Sequence, residues 1–257
     1  MSAIADLAGK RGLVVGIANA ESIAAGCAGA FRAAGAELAV TYLNEKAESH
    51  VRPVAESLRA GIVVPCDVRV PGQLEAVFER IGQDWGRLDF LLHSIAFAPR
   101  EDLHTSLVNC SAEGFALAMD VSCHSFIRMA RLAAPLMTAG GSLMTVSFYG
   151  ADRVVENYNL MGPVKAALEA SVRYLSADLA GRGIRAHAIS AGPVRTRAAS
   201  GIGRFDELLD KVRERTPAGR LVSIEEIGRV AAFLASDAGA PLAGSVTYTD
   251  GGFHTVA

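Results

Sequence analysis

The chain has only four cysteines in 257 residues, and Cys27, Cys66, Cys110 and Cys123 form no C-x-x-C pair. That spacing argues against a zinc site and against a disulfide framework, leaving reduced thiols. No metal is expected. No block of basic residues occurs and the net charge is −2, so the broad electrostatic footprint of a nucleic-acid binder is missing. No apolar run is long enough to span a bilayer. The opening MSAIADLAGKRGLVVG has no h-region followed by a cleavage site. The expectation is a soluble cytoplasmic protein with neither membrane nor nucleic acid as partner. Linkers, low-complexity tracts and fixed-period repeats are also lacking, which points to one domain over 1–257.

What is present is apolar. Hydrophobic residues make up 51% and charged residues 20%, which suits a large buried core. Short β-rich runs at Arg11–Gly16, Glu37–Tyr42, Ile62–Cys66, Leu88–His93, Ser142–Ser147, Ile184–Ile189 and Ser245–Thr249 read as strands. Helical patterns fill the gaps, at Ile23–Ala34, Gln73–Trp85, Ala112–Met137, Tyr158–Ala180 and Ile224–Ser236. Ser223 followed by Glu226 reads as a capping box. This alternation implies an α/β fold: a Rossmann-like, doubly wound sheet of about seven parallel strands with helices on both faces.

Ligands of such sheets bind outside the carboxyl ends of the strands, so residues at those ends are the site candidates. The first turn reads GIANAESIAAG rather than G-x-G-x-x-G. Gly16 allows a tight strand exit, and Ser22 and Ile23 stand where a helix N-terminus can meet a pyrophosphate. The same stretch reads equally as a strand-to-helix turn capped by Ser22. Later strand ends carry Asp67-Val68, Ser94-Ile95-Ala96 and the run Ala191, Gly192, Pro193, Val194 with Thr196. An Asp there can accept from an adenine amino group, and small residues let a ribose approach the backbone. A second constellation is Tyr158 and Lys165, seven residues apart, which a helix brings to one face.

Taken together, GKRGLVVGIANAESIAAG, DFLLHSIAFAP, NYNLMGPVKAALEASVRYLSADL, GIRAHAISAGPVRTRAASGI and the closing DGGF resemble the short-chain dehydrogenase/reductase superfamily. Within it the chain resembles the bacterial enoyl-acyl-carrier-protein reductases, and the matching stretches run nearly end to end. The resemblance implies a homotetramer that reduces the 2,3 double bond of an enoyl thioester, on acyl-carrier protein or coenzyme A, with NAD(P)H. It implies that Lys165 holds the nicotinamide ribose and that its charge favours ionisation of Tyr158. Tyr158 would bond the thioester carbonyl and stabilise the enolate oxygen. Ala98, Phe148 and Met161 would line the substrate site beside it.

Three departures from the family pattern matter. Phe148 stands where many relatives have Tyr, and the phenol appears one residue on, at Tyr149. Neighbours on a strand point to opposite faces, so Tyr149 is not expected to substitute unless the strand has ended. Mycobacterial long-chain enoyl reductases are similar in carrying Phe here. Leu43 follows the second strand where NADH-using relatives often have Gln; no Arg is present there to fork a 2′-phosphate, although Lys46 is close. NADH is therefore favoured and NADPH kept as the alternative. The segment around 194–215 is expected to be a mobile substrate-binding stretch with a short helix, and from Gly201 to Arg215 its four acidic and four basic residues cancel. Electrostatic steering of an acidic carrier is correspondingly weakened.

Two rival functions follow. A carbonyl or alcohol oxidoreductase on the same fold needs a hydroxyl near the Tyr, and Thr145, thirteen residues before Tyr158, or Ser147 would supply it. A dinucleotide-sensing protein without turnover is the other; the intact Tyr158 and Lys165 argue against it.

Overall fold

The described parts of the computed structural model are residues 5–196 and 203–257. Part of the expected substrate segment, residues 197–202, lies outside them. The strands are Arg11–Val15 (β1), Glu37–Tyr42 (β2), Ile62–Pro65 (β3), Phe90–His93 (β4), Gly141–Ser147 (β5), Ile184–Ala191 (β6) and Ser245–Thr249 (β7). They pair in parallel in the order β3-β2-β1-β4-β5-β6-β7. All seven expected strands are present, each within a residue or two of its expected ends. The order reverses between β1 and β4, and that is where a doubly wound sheet opens a crevice.

Helices cover both faces. Ile23–Ala33 (α1), Glu45–Ser57 (α2) and Ile224–Ala235 (α9) bury Phe31, Val51 and Ile227 on one side. Gln73–Trp85 (α3), Ala112–Met119 (α5), Ser125–Ala133 (α6) and Met161–Leu179 (α7) bury Val77, Ala118, Phe126 and Leu168 on the other. The short helix Arg100–His104 (α4) and the helix Phe205–Arg215 (α8) flank the carboxyl ends of the strands. The capping box at Ser223 and Glu226 forms as expected: Glu226 N–H donates to Ser223 Oγ and Ser223 N–H to Glu226 Oε2.

Three helix expectations need correction. The run Ala112–Met137 is not one helix. A π-helical turn at Asp120–His124 separates α5 from α6, and a 3₁₀ turn, Ala134–Leu136, follows where Pro135 removes a donor. The Tyr158–Ala180 pattern begins late, at Met161. Asn157 and Asn159 adopt left-handed backbone, φ 63° and 42°, which breaks helical continuity around Tyr158. The helix α2 was not expected at all: it buries only Val51 and Ala55 and carries Pro53, so its apolar stripe is too narrow to read.

Candidate active site

Parallel strands carry the site on their carboxyl ends. At the reversal point Gly16 leaves β1 with φ 112°, and a Cβ there would meet the Ser94 carbonyl oxygen at 2.1 Å. Only glycine permits this approach between the ends of β1 and β4. Ser94 N–H donates to the Val15 carbonyl. Beyond the turn, α1 presents its N-terminus, with Ile23 as its first residue and on the wall of the main cavity. Ser22 acts as the cap: its Oγ accepts from Ala25 N–H and donates to the Asn19 carbonyl at 2.8 Å. The capping alternative is thus the geometry observed, and any phosphate would meet backbone N–H groups there rather than this hydroxyl.

The cavity has a volume of about 670 Å³. It brings together Ile23 and Ala96 with Lys165, Ala191, Gly192, Pro193, Val194 and Thr196. Ala98, Phe148, Tyr158 and Met161 line it too. Leu43, Asp67, Val68 and Ile95, like Gly16, Ser22 and Ser94, do not line it. Leu43 is largely exposed after β2, and Val68 is buried with its carbonyl accepting from Arg128. Ile95 packs partly buried on the core. Asp67 is engaged by the Arg69 guanidinium, at 2.7 Å from Nη2. That pair holds its carboxyl below the usual range, so an adenine amino group would have to share the carboxylate with Arg69.

Tyr158 sits in the turn before α7, not on it, so the two-turn helical spacing is not what brings it to Lys165. Its backbone is held by Tyr158 N–H to Val155 O at 3.1 Å and Met161 N–H to Tyr158 O at 3.0 Å. Asn159 Nδ2 donates to the Leu103 carbonyl at 2.7 Å and ties this turn to α4. Gly150 lets the ring come close: a Cβ there would lie 2.6 Å from Tyr158 Cδ1. Burial pushes the phenol well above its ordinary value, and the Glu169 charge pushes it further. Burial outweighs the favourable charge expected from Lys165, and the group stays a neutral donor. The Lys165 amine donates to the Val146 carbonyl at 2.7 Å, and burial lowers its pKa to about 8.

Two hydroxyls decide between reductase chemistries. Thr145 is fully buried against His93, Oγ1 to Nδ1 at 2.8 Å, and His93 Nε2 lies 2.8 Å from Ser125 Oγ. Because Ser125 donates to the Val121 carbonyl, it accepts from Nε2–H, and Nδ1 accepts the Thr145 hydroxyl. Thr145 therefore has no hydrogen to offer a ketone. Ser147 lines the cavity but donates to Glu169 Oε1 at 2.6 Å. Neither position supplies a free donor beside Tyr158. Tyr149 begins a 3₁₀ turn after β5 and lines a different small cavity, of about 140 Å³, so it does not replace the phenol missing at 148.

Several wall residues were not foreseen: Phe97, Arg100, Leu103, His104, Val146, Ser147 as a wall residue, and Phe205. The first four follow β4, and only the length of HSIAFAPREDLH hinted that this stretch folds over the strand ends. Ser122 was also missed. In the π turn its Oγ accepts from Phe97 N–H at 2.9 Å and donates to Phe97 O at 3.0 Å, fixing that wall. No periodicity marks a π turn in advance.

This arrangement suits an extended dinucleotide. The glycine-gated crevice and the first backbone N–H groups of α1 suit an anionic group, and the cavity continues from Ile23 to Lys165, where a ribose can be held. At its far end a neutral buried phenol faces apolar walls, which suits stabilising an oxyanion on a hydrophobic substrate.

Comparison with known proteins agrees in kind. A family model for enoyl-(acyl carrier protein) reductase matches residues 16–254. The chain is 46% identical over 248 residues to enoyl-[acyl-carrier-protein] reductase [NADH] 1 of Rhizobium meliloti, covering 96% of this chain and 91% of that protein. It is 44% identical over 252 residues to the Escherichia coli enoyl-[acyl-carrier-protein] reductase [NADH], covering 98% and 96%. The crystal structure of the Bacillus cereus enoyl-acyl carrier protein reductase with NADP+ and indole naphthyridinone superposes with a TM-score of 0.95 at 44% identity, covering 98% and 99%.

Proposed function

The chain belongs to the enoyl-(acyl-carrier-protein) reductase family, and we propose that Tyr158 and Lys165, in the cavity at the strand ends, carry its reaction. It is an NADH-dependent enoyl reductase of fatty acid biosynthesis, reducing the 2,3 double bond of a trans-2-enoyl thioester. The bound dinucleotide supplies the hydride that goes to C3. Gly16, the α1 N-terminus at Ile23 and the Ala191–Val194 turn with Thr196 would hold it, with Ser94–Ala96 beside it, and the Lys165 amine would hold its ribose. Leu43 and Asp67 lie at the adenine end.

As hydride reaches C3, negative charge develops on the thioester oxygen. The Tyr158 phenol donates to that oxygen. Because burial keeps the phenol protonated, the donor is present at neutral pH without prior proton transfer. Phe148, Met161 and Ala98 exclude water from the acyl chain. The single observation that carries this reading is the buried, neutral Tyr158 opening on the same cavity as Lys165.

The acyl group arrives on acyl-carrier protein, with a coenzyme A thioester as an alternative carrier. Around α8, Arg204 at its N-cap pairs with Glu207, Arg213 with Asp210, Asp206 with Arg195 and Lys211 with Glu156. This supports docking that depends little on salt. One domain acting as a homotetramer in the cytoplasm, with a substrate-binding segment around residues 194–215, completes the proposal.

The test is steady-state turnover of a crotonyl thioester, on coenzyme A and on acyl-carrier protein, with NADH and with NADPH, beside a ketone control. Enoyl turnover with NADH and none of the ketone is expected. Ketone turnover without enoyl turnover overturns the reading.

A further inference from the structure

The helix α4 forms part of the cavity wall, and it is too short to hold itself. Its five residues make little more than one turn. A lone turn is unstable, because nucleation fixes several backbone angles for one hydrogen bond. Within α4, Leu103 N–H donates to the Pro99 carbonyl at 2.9 Å. Two contacts from elsewhere in the chain fix it further. The buried Asp102 carboxylate accepts from Ser111 N–H at 2.6 Å and from Ser111 Oγ at 3.1 Å, which ties α4 to the N-cap of α5. Gly114 makes room for this clamp, since a Cβ there would lie 1.9 Å from Asp102 Oδ2. The second contact is Asn159 Nδ2 on the Leu103 carbonyl, at 2.7 Å. Leu103 and Tyr158 both line the cavity.

Asn159 is the residue next to Tyr158. Because Tyr158 lies ahead of α7, no helical ladder encloses it, and its turn is bracketed by Asn157 and Asn159 with φ 63° and 42°. Left-handed backbone is disfavoured for residues other than glycine, and it persists where surrounding contacts impose it. At the half-buried Asn159 that contact is the amide on Leu103. A carbonyl oxygen only accepts, so the side chain must present its NH2 group there.

We propose that Asn159 is a positioning residue for enoyl reduction: its amide holds the Tyr158 phenol in register with the α4 wall against which the acyl chain lies. This deepens the enoyl-reductase reading and rests on it. The phenol must reach the thioester oxygen while the chain stays seated, and one hydrogen bond sets both. Breaking it leaves every reacting group in place chemically but lets donor and wall move independently. A misplacement of about 1 Å can cost on the order of 10²-fold in rate. Dinucleotide binding is not the step affected, because the groups assigned to it come from α7 and from the ends of β1 and β6.

The test compares Asn159→Asp and Asn159→Gly with wild type. Asp keeps the size of the side chain and tolerates left-handed backbone, but its carboxylate has no hydrogen to donate. Gly adopts that backbone without steric cost and removes the amide altogether. A defect shared by the two therefore reports the hydrogen bond. With a crotonyl thioester, kcat should fall by roughly tenfold or more in both. Dinucleotide affinity, read by fluorescence titration, should stay within about twofold of wild type. In the Tyr158→Phe background the same substitutions should cost little more, because no phenol is left to position. Hydrogen exchange read by mass spectrometry should show segments 99–105 and 156–162 loosening together in both variants, with the strands of the sheet unchanged.

Wild-type kcat in both variants overturns the proposal. So does a loss of the same size in the Tyr158→Phe background, which would mean that Asn159 acts through another group. Loosening of only one of the two segments refutes the coupling. If Asn159→Asp does not fold, Asn159→Gly decides; loss of the folded state in both overturns the proposal, because the amide then serves the fold and not the site. A wild type that reduces no enoyl thioester overturns the underlying reading instead. The exchange measurement needs no substrate, so it separates that failure from a failure of the Asn159 coupling.

Discussion

The ring of Phe148 meets the ring of Tyr158 edge-on, with centroids 5.0 Å apart and planes inclined at 62°. Phe148 thus forms part of the wall that sets the phenol's position, lining the cavity while packing partly buried against the core. Phe148→Tyr adds one oxygen at the same ring size. Turnover should change by less than about tenfold, or ~1.4 kcal/mol. Thermal unfolding should be nearly unchanged because Phe148 lines the cavity and is only partly buried. A stability loss of roughly 1–3 kcal/mol with unaltered kinetics would place the ring tip in the core and end its role at the site.

Tyr158→Phe removes the oxyanion donor and keeps the edge-on packing. Turnover should fall on the order of 10²–10³-fold, the usual worth of one such donor. Affinity for the dinucleotide, read by fluorescence titration, should stay close to wild type. Wild-type turnover in this variant would remove Tyr158 from the mechanism.

Lys165→Met keeps most of the buried stem and removes the amine that reaches the Val146 carbonyl. Both dinucleotide affinity and turnover should drop. Normal affinity with a purely chemical defect would contradict the ribose-holding role.

His93 sets an acid limit on stability. Burial, with the Lys165 charge, lowers its pKa to about 3. The unfolded chain takes up a proton near the ordinary value, about 6.5, and the folded chain only near 3. Unfolded protein therefore binds more protons throughout that window, and stability falls as pH drops through it. From pH 6.5 to 5 this group alone should remove about 1.6 kcal/mol, because the unfolded imidazole is half protonated at the start of that range and nearly fully protonated at its end. Urea denaturation at the two pH values checks it. His93→Gln should be less stable at neutral pH but show a shallower decline, and equal declines in both proteins would refute the assignment.

The amino-acid sequence alone settled the strand set and the alternation that makes the sheet parallel. Strands buried on both faces, such as Phe90–His93, must be continuously apolar, and that pattern is local and readable. It also placed the Ala191–Thr196 run at a strand end, where ligands of such sheets bind, and singled out Tyr158 and Lys165 by their seven-residue spacing. What it could not decide depends on contacts distant in the chain. Tyr158 looked helical from its spacing to Lys165, yet left-handed Asn157 and Asn159 keep it in a turn. That turn is fixed from outside by Leu103, fifty-six residues earlier. Whether Thr145 or Ser147 can serve a ketone is likewise invisible locally. A hydroxyl's free hydrogen depends on its partner, and those partners, His93 and Glu169, come from β4 and α7. The ionisation of Tyr158 follows the same rule. A neighbouring amine suggests a lowered phenol, but the desolvation that raises it exists only once the whole fold has closed around the ring.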